Sequence, residues 1–174
     1  MTIQNPKNDL IVFLFFIILF LVLSYSNSIA QVPFYVPYSY QFKARVARVI
    51  DGDSFVLSDS QRVRMLGIDT PELTSKDSFF VFYANKAKLL TDSLIAGKVI
   101  KLTLEGNTRD FFGRLLAYVW LTNSSGKDSL FIQAEHLKKG FARISYYPEG
   151  SRYYDIFYNL RRTAMKNNIG IWSR

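Results

Sequence analysis

The chain has 174 residues, with 22 Lys and Arg against 14 Asp and Glu, a formal net charge of +8, one His and no Cys. That length fits one domain or two very small ones, its 49% hydrophobic content argues against disorder, and its basic excess favours an anionic partner, either nucleic acid or a membrane surface. The absence of Cys excludes disulfides and thiolate metal sites, and a single His excludes a multi-histidine centre, so any bound metal needs oxygen ligands.

The first predicted element is an uninterrupted apolar run from Leu10 to Leu23. Its length of about 14 residues falls short of the roughly 20 that a membrane-spanning helix needs. Because Ser28 and Ala30 offer the small side chains of a cleavage site, we expect residues 1–30 to be a signal peptide and the product to be secreted or periplasmic. An uncleaved membrane anchor is the alternative, since Lys7 is the only basic residue before the run.

The next segment, residues 31–41, carries two prolines and four aromatics without a period, which indicates an extended lead-in to a domain over residues 42–174. Residue spacing then predicts three strands, a helix, two strands and two helices. Strands that do not alternate with helices favour an α+β fold, a five-stranded OB-fold β-barrel with three α-helices. The predicted strands are Phe42–Val46, Ser54–Ser58, Val63–Ile68, Val99–Leu104 and Leu115–Leu121, and the predicted helices are Phe79–Ile95, Ser129–Lys139 and Arg152–Asn167.

Three polar clusters lie at strand ends or in the loops that follow, where a rigid scaffold presents functional groups. They are Asp51–Ser54, Arg64 with Asp69–Glu72, and Arg109–Arg114. Each also has a purely structural interpretation, because Asp-Gly favours a hairpin turn and charged residues are common in turns and hairpin loops. Taken singly, each cluster leaves both interpretations open.

Taken together, the clusters contain the groups that metal-assisted phosphodiester hydrolysis requires. Asp53, Asp69 and the Thr70 carbonyl are hard oxygen donors, and calcium takes about six to eight such ligands, some of them from water. A further carboxylate can accept a proton from water, and guanidinium groups match the geometry of phosphate oxygens. The residues with these properties are Glu72 for the proton and Arg64 and Arg114 for the phosphate.

The segments Val49–Ser54, Arg64–Glu72 and Asp110–Val119 carry a family resemblance. In this order and spacing they resemble the three signature segments of the staphylococcal nuclease (thermonuclease) family, over about residues 42–173. The resemblance implies an OB-fold barrel and a calcium-dependent nuclease acting on single-stranded or frayed DNA and RNA. It also implies endonuclease and exonuclease cleavage with little sequence specificity, leaving 3′-phosphates.

The resemblance further implies a role for each motif residue. All of the motif positions are filled, so we expect an active enzyme; a non-catalytic nucleic-acid-binding module of the same fold is the alternative. No protein partner is implied, and we expect a monomer. The implied roles are calcium ligands at Asp53, Asp69 and the Thr70 carbonyl, a general base at Glu72, and phosphate-binding arginines at Arg64 and Arg114.

Four further positions concern the aromatic residues and the single histidine. Tyr146 and Tyr147 lie where the family uses tyrosines beside the bound nucleotide, and they are predicted to stack on bases, with ordinary packing as the alternative. Phe112 stands where the family usually has Tyr, so the hydroxyl that could donate to a terminal phosphate is missing. His136 is expected at a solvated or partly packed position of the second predicted helix.

Overall fold

A computed structural model describes Ile17, residues 39–145 and residues 152–174. The chain divides into the units Met1–Val36 and Pro37–Arg174, and all the strands and helices named below belong to the second unit. Apart from Ile17, the predicted signal peptide lies outside the described residues. No helix in the described part of the chain is long and apolar enough to cross a membrane.

Five strands form a closed barrel in the order β3-β2-β1-β5-β6. Neighbours in this order are antiparallel, and a parallel pairing of β3 with β6 closes the barrel. β7 pairs with the other end of β6, and β4 and β8 form a separate two-stranded ribbon. The α+β barrel predicted from the sequence is confirmed. The strands are β1 (Ser39–Val49), β2 (Ser54–Leu57), β3 (Arg62–Met65), β4 (Ile68–Asp69), β5 (Val99–Arg109), β6 (Leu115–Thr122), β7 (Asp128–Phe131) and β8 (Arg143–Ile144).

The alternation of side chains along β3 separates core from surface. Val63 and Met65 are buried in the barrel, and Arg64 between them faces outward. At the start of the barrel, Ser39 pairs with Glu105, so residues 39–41 of the predicted lead-in belong to β1. This longer strand is possible because β5 continues beyond its predicted end and offers backbone partners.

Three α-helices lie in the described residues: α1 (Ser78–Ile95), α2 (Ile132–Lys138) and α3 (Tyr154–Lys166). The second predicted helix begins too early, because its first residues form β7. In β7, Phe131 pairs with Trp120 of β6, and the two rings stack with centroids 4.0 Å apart. Cross-strand aromatic pairing therefore prevails over the helical pattern in this short apolar segment.

An aromatic cluster fixes α3 against the barrel. Phe157 of α3 is fully buried, and Tyr153 before the helix lies 4.6 Å from the Tyr118 ring and 4.8 Å from the Phe131 ring. These rings meet edge to face or tilted, which is the favoured arrangement of aromatic pairs. The cluster therefore packs α3 and the residue before it against β6 and β7.

The segment after α3 docks through two glycines. The Ile171 amide donates to the Gly140 carbonyl at 2.8 Å, and a Cβ on Gly170 would lie only 2.1 Å from the same oxygen. Gly170 also has φ near +66°, a conformation that side chains disfavour. Past this contact, Arg174 forms an ion pair with Asp77 at 2.6 Å, so the segment also contacts the start of α1.

Candidate functional site

The Asp51–Gly52–Asp53 segment is a hairpin connection between β1 and β2. The Ile50 amide donates to the Ser54 carbonyl at 2.9 Å, and the Asp53 amide donates to the Asp51 side chain at 3.0 Å. The structural interpretation of this cluster is therefore correct. It does not exclude a functional one, because the turn aims Asp53 inward.

Gly52 allows this turn to contact two other elements closely. A Cβ at this position would lie 2.6 Å from the Thr70 hydroxyl oxygen and 2.6 Å from the Ala87 Cβ of α1. Because glycine has no side chain, the turn, α1 and the segment after β4 can meet at one point. The close contact brings Asp53 and Thr70 together.

Asp53 is 1% exposed and makes hydrogen bonds through both carboxylate oxygens. Oδ2 accepts from the Thr70 amide at 2.7 Å and from the Thr70 hydroxyl at 3.0 Å. Oδ1 accepts from the Ser54 hydroxyl at 3.0 Å and from Arg64 at 2.5 Å. Burial raises the pKa of Asp53 to about 6, although Arg64 and the Thr70 hydrogen bonds act in the opposite direction.

Arg64 bridges two carboxylates with its two terminal nitrogens. Nη1 lies 2.5 Å from Asp53 Oδ1, and Nη2 lies 2.5 Å from Asp69 Oδ1. Burial disfavours the charged guanidinium, but the charges of Asp53 and Asp69 prevail and raise the pKa of Arg64. The structure thus brings together four of the predicted site residues: Asp53, Arg64, Asp69 and Thr70.

These oxygen donors suit a hard cation. Asp53 and Asp69 share one guanidinium, Thr70 adds a backbone carbonyl, and no sulfur or imidazole group belongs to the set. No group of three or more His, Cys, Asp and Glu side chains that could hold a metal occurs among the described residues. A calcium or magnesium ion held here would need water and substrate oxygens to complete its coordination, which both ions accept.

Arg114 is held by the loop that joins β5 to β6. Its Nε donates to Asp110 Oδ2 at 2.7 Å, while Asp110 Oδ1 accepts from the Phe112 and Arg114 amides at 2.9 Å. Burial alone would raise the pKa of Asp110, but hydrogen bonds and charge from Arg114 lower it. The guanidinium carbon lies 5.5 Å from the Phe112 ring centre, and both Phe111 and Phe112 are exposed.

The pairing of β3 with β6 relates the two arginines. Arg64 pairs with Leu116, two residues after Arg114, and both Arg64 and Leu116 lie on the outer face of the barrel. Arg114 itself precedes β6, in the loop that joins β5 to β6. Because Val63 pairs with Leu115, Arg114 directly precedes the residue that lies beside Val63, next to Arg64 in β3.

Glu72 lies in the loop that follows β4. Its exposed side chain lines a cavity of about 340 Å³, together with Asp69 and Thr70. The predicted base is therefore on the same side of the molecule as the predicted metal ligands. Tyr146 and Tyr147, predicted to bind the substrate, lie outside the described residues.

A buried polar chain supports the Asp51–Asp53 turn from behind. The Thr91 hydroxyl donates to the Gly52 carbonyl at 2.6 Å, and His136 Nε2 lies 2.8 Å from the same hydroxyl oxygen. Because the one hydroxyl proton goes to Gly52, Nε2 must carry a proton and donate to Thr91. The expectation of a solvated or partly packed His136 is wrong, since its side chain is fully buried.

The burial of His136 has an electrostatic consequence. Nδ1 has no hydrogen-bond partner among the described residues, and burial lowers the pKa of the imidazole to about 4. The sequence gives a weak signal for this contact, because Thr91 and His136 are far apart in the chain. Only the helical spacing of Thr91 with Ala87 and Ile95 indicates that Thr91 faces the core.

Comparisons with known proteins agree with the resemblance seen in the motifs. A family model described as "Staphylococcal nuclease homologue" matches residues 62–174, a range that includes every predicted site residue except Asp53. The thermonuclease of Staphylococcus intermedius is 32% identical over 132 residues, covering 74% of this chain and 75% of the relative. Endonuclease YncB of Bacillus subtilis is 33% identical over 132 residues, covering 73% of this chain and 60% of the relative.

Proposed function

This chain belongs to the staphylococcal nuclease family, and from that membership we propose that it is an exported, calcium-dependent nuclease that cleaves DNA and RNA. The observation that carries the proposal is the Arg64 bridge between Asp53 and Asp69. It gathers hard oxygen donors and a phosphate-binding cation in one place, next to the cavity that holds Glu72. The substrate class that needs all three is a phosphodiester.

Calcium is the proposed ion, and it would be held by Asp53, Asp69 and the Thr70 carbonyl. When bound, it would offset the growing negative charge on a phosphate oxygen. If the ion binds the folded protein, calcium should raise the melting temperature by linkage. An unchanged melting temperature in millimolar calcium, with Asp69→Asn as the comparison, would count against this metal site.

The other predicted residues act directly on the substrate in this proposal. Arg64 and Arg114 donate hydrogen bonds to phosphate oxygens, and Glu72 accepts a proton from the attacking water. Water adds to phosphorus, the bond to the 5′ oxygen breaks and that oxygen takes a proton from solvent, and the phosphate stays on the 3′ oxygen. Because these contacts go to the phosphate and not to base edges, little sequence specificity is expected.

The test is cleavage of a quenched fluorescent single-stranded oligonucleotide by the purified protein, in calcium and in chelator. Glu72→Gln should lower the rate by about a hundredfold, the lower end of the effect of a lost catalytic proton acceptor. The matched control is Asp59→Asn, which changes an exposed carboxylate in the β2–β3 turn. Tight binding without cleavage by the unaltered protein would support a non-catalytic nucleic-acid-binding module instead.

Export forms a separate part of the proposal. It is supported by the apolar run of residues 10–23 and the small residues before position 31. N-terminal sequencing of the exported product should give Gln31 as its first residue. Retention of the apolar run in a membrane fraction would favour the anchored alternative.

A further inference from the structure

The cavity beside Glu72 has a second wall that the proposed reaction does not use. Besides residues of the segment 69–75, its lining includes Phe80 from α1, Arg143 from β8 and Ile171 from a 3₁₀ turn (Gly170–Trp172). The volume of about 340 Å³ is at the lower end of the range of small-molecule sites, about 300 to 1,000 Å³. Such a space suits one small planar group and not an extended ligand.

Phe80 and Arg143 form the distinctive part of this wall. The guanidinium carbon of Arg143 lies 5.2 Å from the centre of the Phe80 ring. Aromatic rings and guanidinium planes are the two kinds of side chain on which unstacked bases stack. Within the described part of the chain no carboxylate lies within 4.0 Å of Arg143, so its charge is not neutralised there.

Local structure holds this pair beside the predicted catalytic residues. Asp77 caps α1 by accepting from the Phe79 amide at 2.9 Å, which places Phe80 in the first turn of the helix. Arg143 pairs directly with Asp69 across the ribbon of β4 and β8. The stacking surface is therefore fixed by backbone contacts to the same strand that carries a predicted metal ligand.

The loop side of the cavity adds polar groups. Thr74 and Ser75 line it with hydroxyls, which can donate or accept hydrogen bonds at a base edge. Ile171 supplies an apolar surface. Aromatic, cationic, hydroxyl and apolar groups around a space of this size match a nucleobase.

We propose that this cavity binds one unpaired nucleobase next to the scissile phosphate, stacked against Phe80 and Arg143. The proposal rests on the proposed nuclease function and names the part of the substrate that the cavity recognises. A base can enter only if it leaves its duplex partner, so the cavity favours single-stranded or frayed substrate. Stacking accepts every base, which agrees with low sequence specificity.

The experiment measures binding of short single-stranded oligonucleotides in chelator by fluorescence anisotropy, so that cleavage is not required. In each oligonucleotide a different nucleotide is replaced by an abasic unit. One abasic position should weaken binding to the unaltered protein about tenfold, the loss of one stacked base. With Phe80→Leu, the intact oligonucleotide should bind about tenfold more weakly, and that abasic position should have no further effect.

Two variants serve as controls. Phe82→Leu changes an exposed aromatic on the same helix that also contacts a cation but does not line the cavity, and it should keep the unaltered sensitivity. Phe80→Tyr keeps the aromatic stacking surface, so it should bind the intact oligonucleotide as tightly as the unaltered protein does. Separate, additive losses from Phe80→Leu and the abasic unit, or no sensitive position at all, would overturn the proposal.

Cleavage assays in calcium separate this proposal from the proposed function. If the unaltered protein binds with the expected coupling to Phe80 but never cleaves, the nuclease proposal fails and the base site stands. If it cleaves but shows no coupling, the nuclease proposal stands and the base site fails.

Discussion

Arg64 and Arg114 are both predicted to contact the substrate phosphate, yet the protein holds them in different ways. Arg64 is 17% exposed and bridges two carboxylates, Asp53 from the β1–β2 turn and Asp69 from β4. Arg114 is held by Asp110, four residues earlier in its own loop, beside two exposed phenylalanines. The position of Arg64 thus depends on the whole barrel, whereas that of Arg114 depends on one short loop.

This difference separates stability from activity. A change at Arg64 should affect both, because it leaves a buried carboxylate without its partner. A change in the loop of Arg114 should affect activity alone, because partly exposed ion pairs contribute about 0 to 1 kcal/mol to stability.

The largest expected effect is that of Arg64→Gln. Cleavage should fall by about a hundredfold or more, since one preorganised donor to the phosphate is lost. The free energy of unfolding should fall by about 3 kcal/mol, as is usual when one partner of a buried ion pair is removed. Cleavage rates and urea denaturation measure the two effects.

Arg48→Gln is the matched control, because it removes the same charge from an exposed position on β1. It should leave both quantities nearly unchanged. If Arg64→Gln has the same free energy of unfolding as the unaltered protein, then Arg64 does not stabilise the fold through its two carboxylates.

The next largest effect is a pH dependence of the free energy of unfolding. It comes from His136, which lies behind the Asp51–Asp53 turn that holds the Asp53 partner of Arg64. Its pKa is lowered from 6.5 to about 4, so its contribution to stability is present above pH 6.5 and is lost as the pH falls to 4. The difference of about 2.5 pKa units corresponds to about 3 kcal/mol. His136→Gln keeps a donor for Thr91 but cannot titrate in this range.

Urea denaturation of the unaltered protein and of His136→Gln between pH 7 and pH 4 measures this effect. The pKa of Asp53 is raised to about 6. The contribution of Asp53 to the free energy of unfolding therefore falls as the pH rises toward 6, which is opposite to the effect of His136. Because Asp53 is present in both proteins, the difference between them isolates His136. Parallel pH profiles would show that His136 does not titrate as expected.

A smaller effect is expected from Asp110→Asn. Asparagine keeps an oxygen that can accept from the Phe112 and Arg114 amides, but it loses the charge that orients the Arg114 guanidinium. We expect kcat/KM to fall about tenfold, with a free energy of unfolding changed by less than about 0.5 kcal/mol. Steady-state cleavage and denaturation curves of the same preparation measure both, and a large loss of stability would contradict the local character of this loop.

The smallest effect is expected from Phe112→Tyr. The added hydroxyl can donate to a terminal phosphate, and a neutral hydrogen bond at an exposed position gives about threefold tighter binding. Inhibition of cleavage by a 5′-phosphorylated nucleotide measures this gain. Phe111→Tyr is the control, because Phe111 is 97% exposed and only Phe112 lies under the Arg114 guanidinium.

The positions of the site residues could be predicted because each follows a recognisable local pattern. Asp53 lies in an Asp-Gly turn, and Asp69 lies at a strand end before Pro71. Their spacing along the chain also carries the family resemblance. What the sequence could not predict is the pairing of Arg64 with both carboxylates, because that contact depends on the twist and closure of the barrel.

The missed features all depend on contacts between separate elements of the structure. The few apolar residues of β7 fit both the helical and the strand period, so the sequence favours a helix there. Only the pairing with Trp120 of β6 decides for a strand. The Thr91–His136 contact and the cavity wall at Phe80 and Arg143 likewise join separate elements. Local periodicity contains no information about such contacts.

Ile171 closes one side of the cavity, and it does so from a part of the chain made long after Asp69 and Glu72. The docking of Ile171 on Gly140 also requires α2 to be in place. A chain truncated before Ile171 would therefore lack one part of the cavity lining while retaining the carboxylates of the site in its sequence.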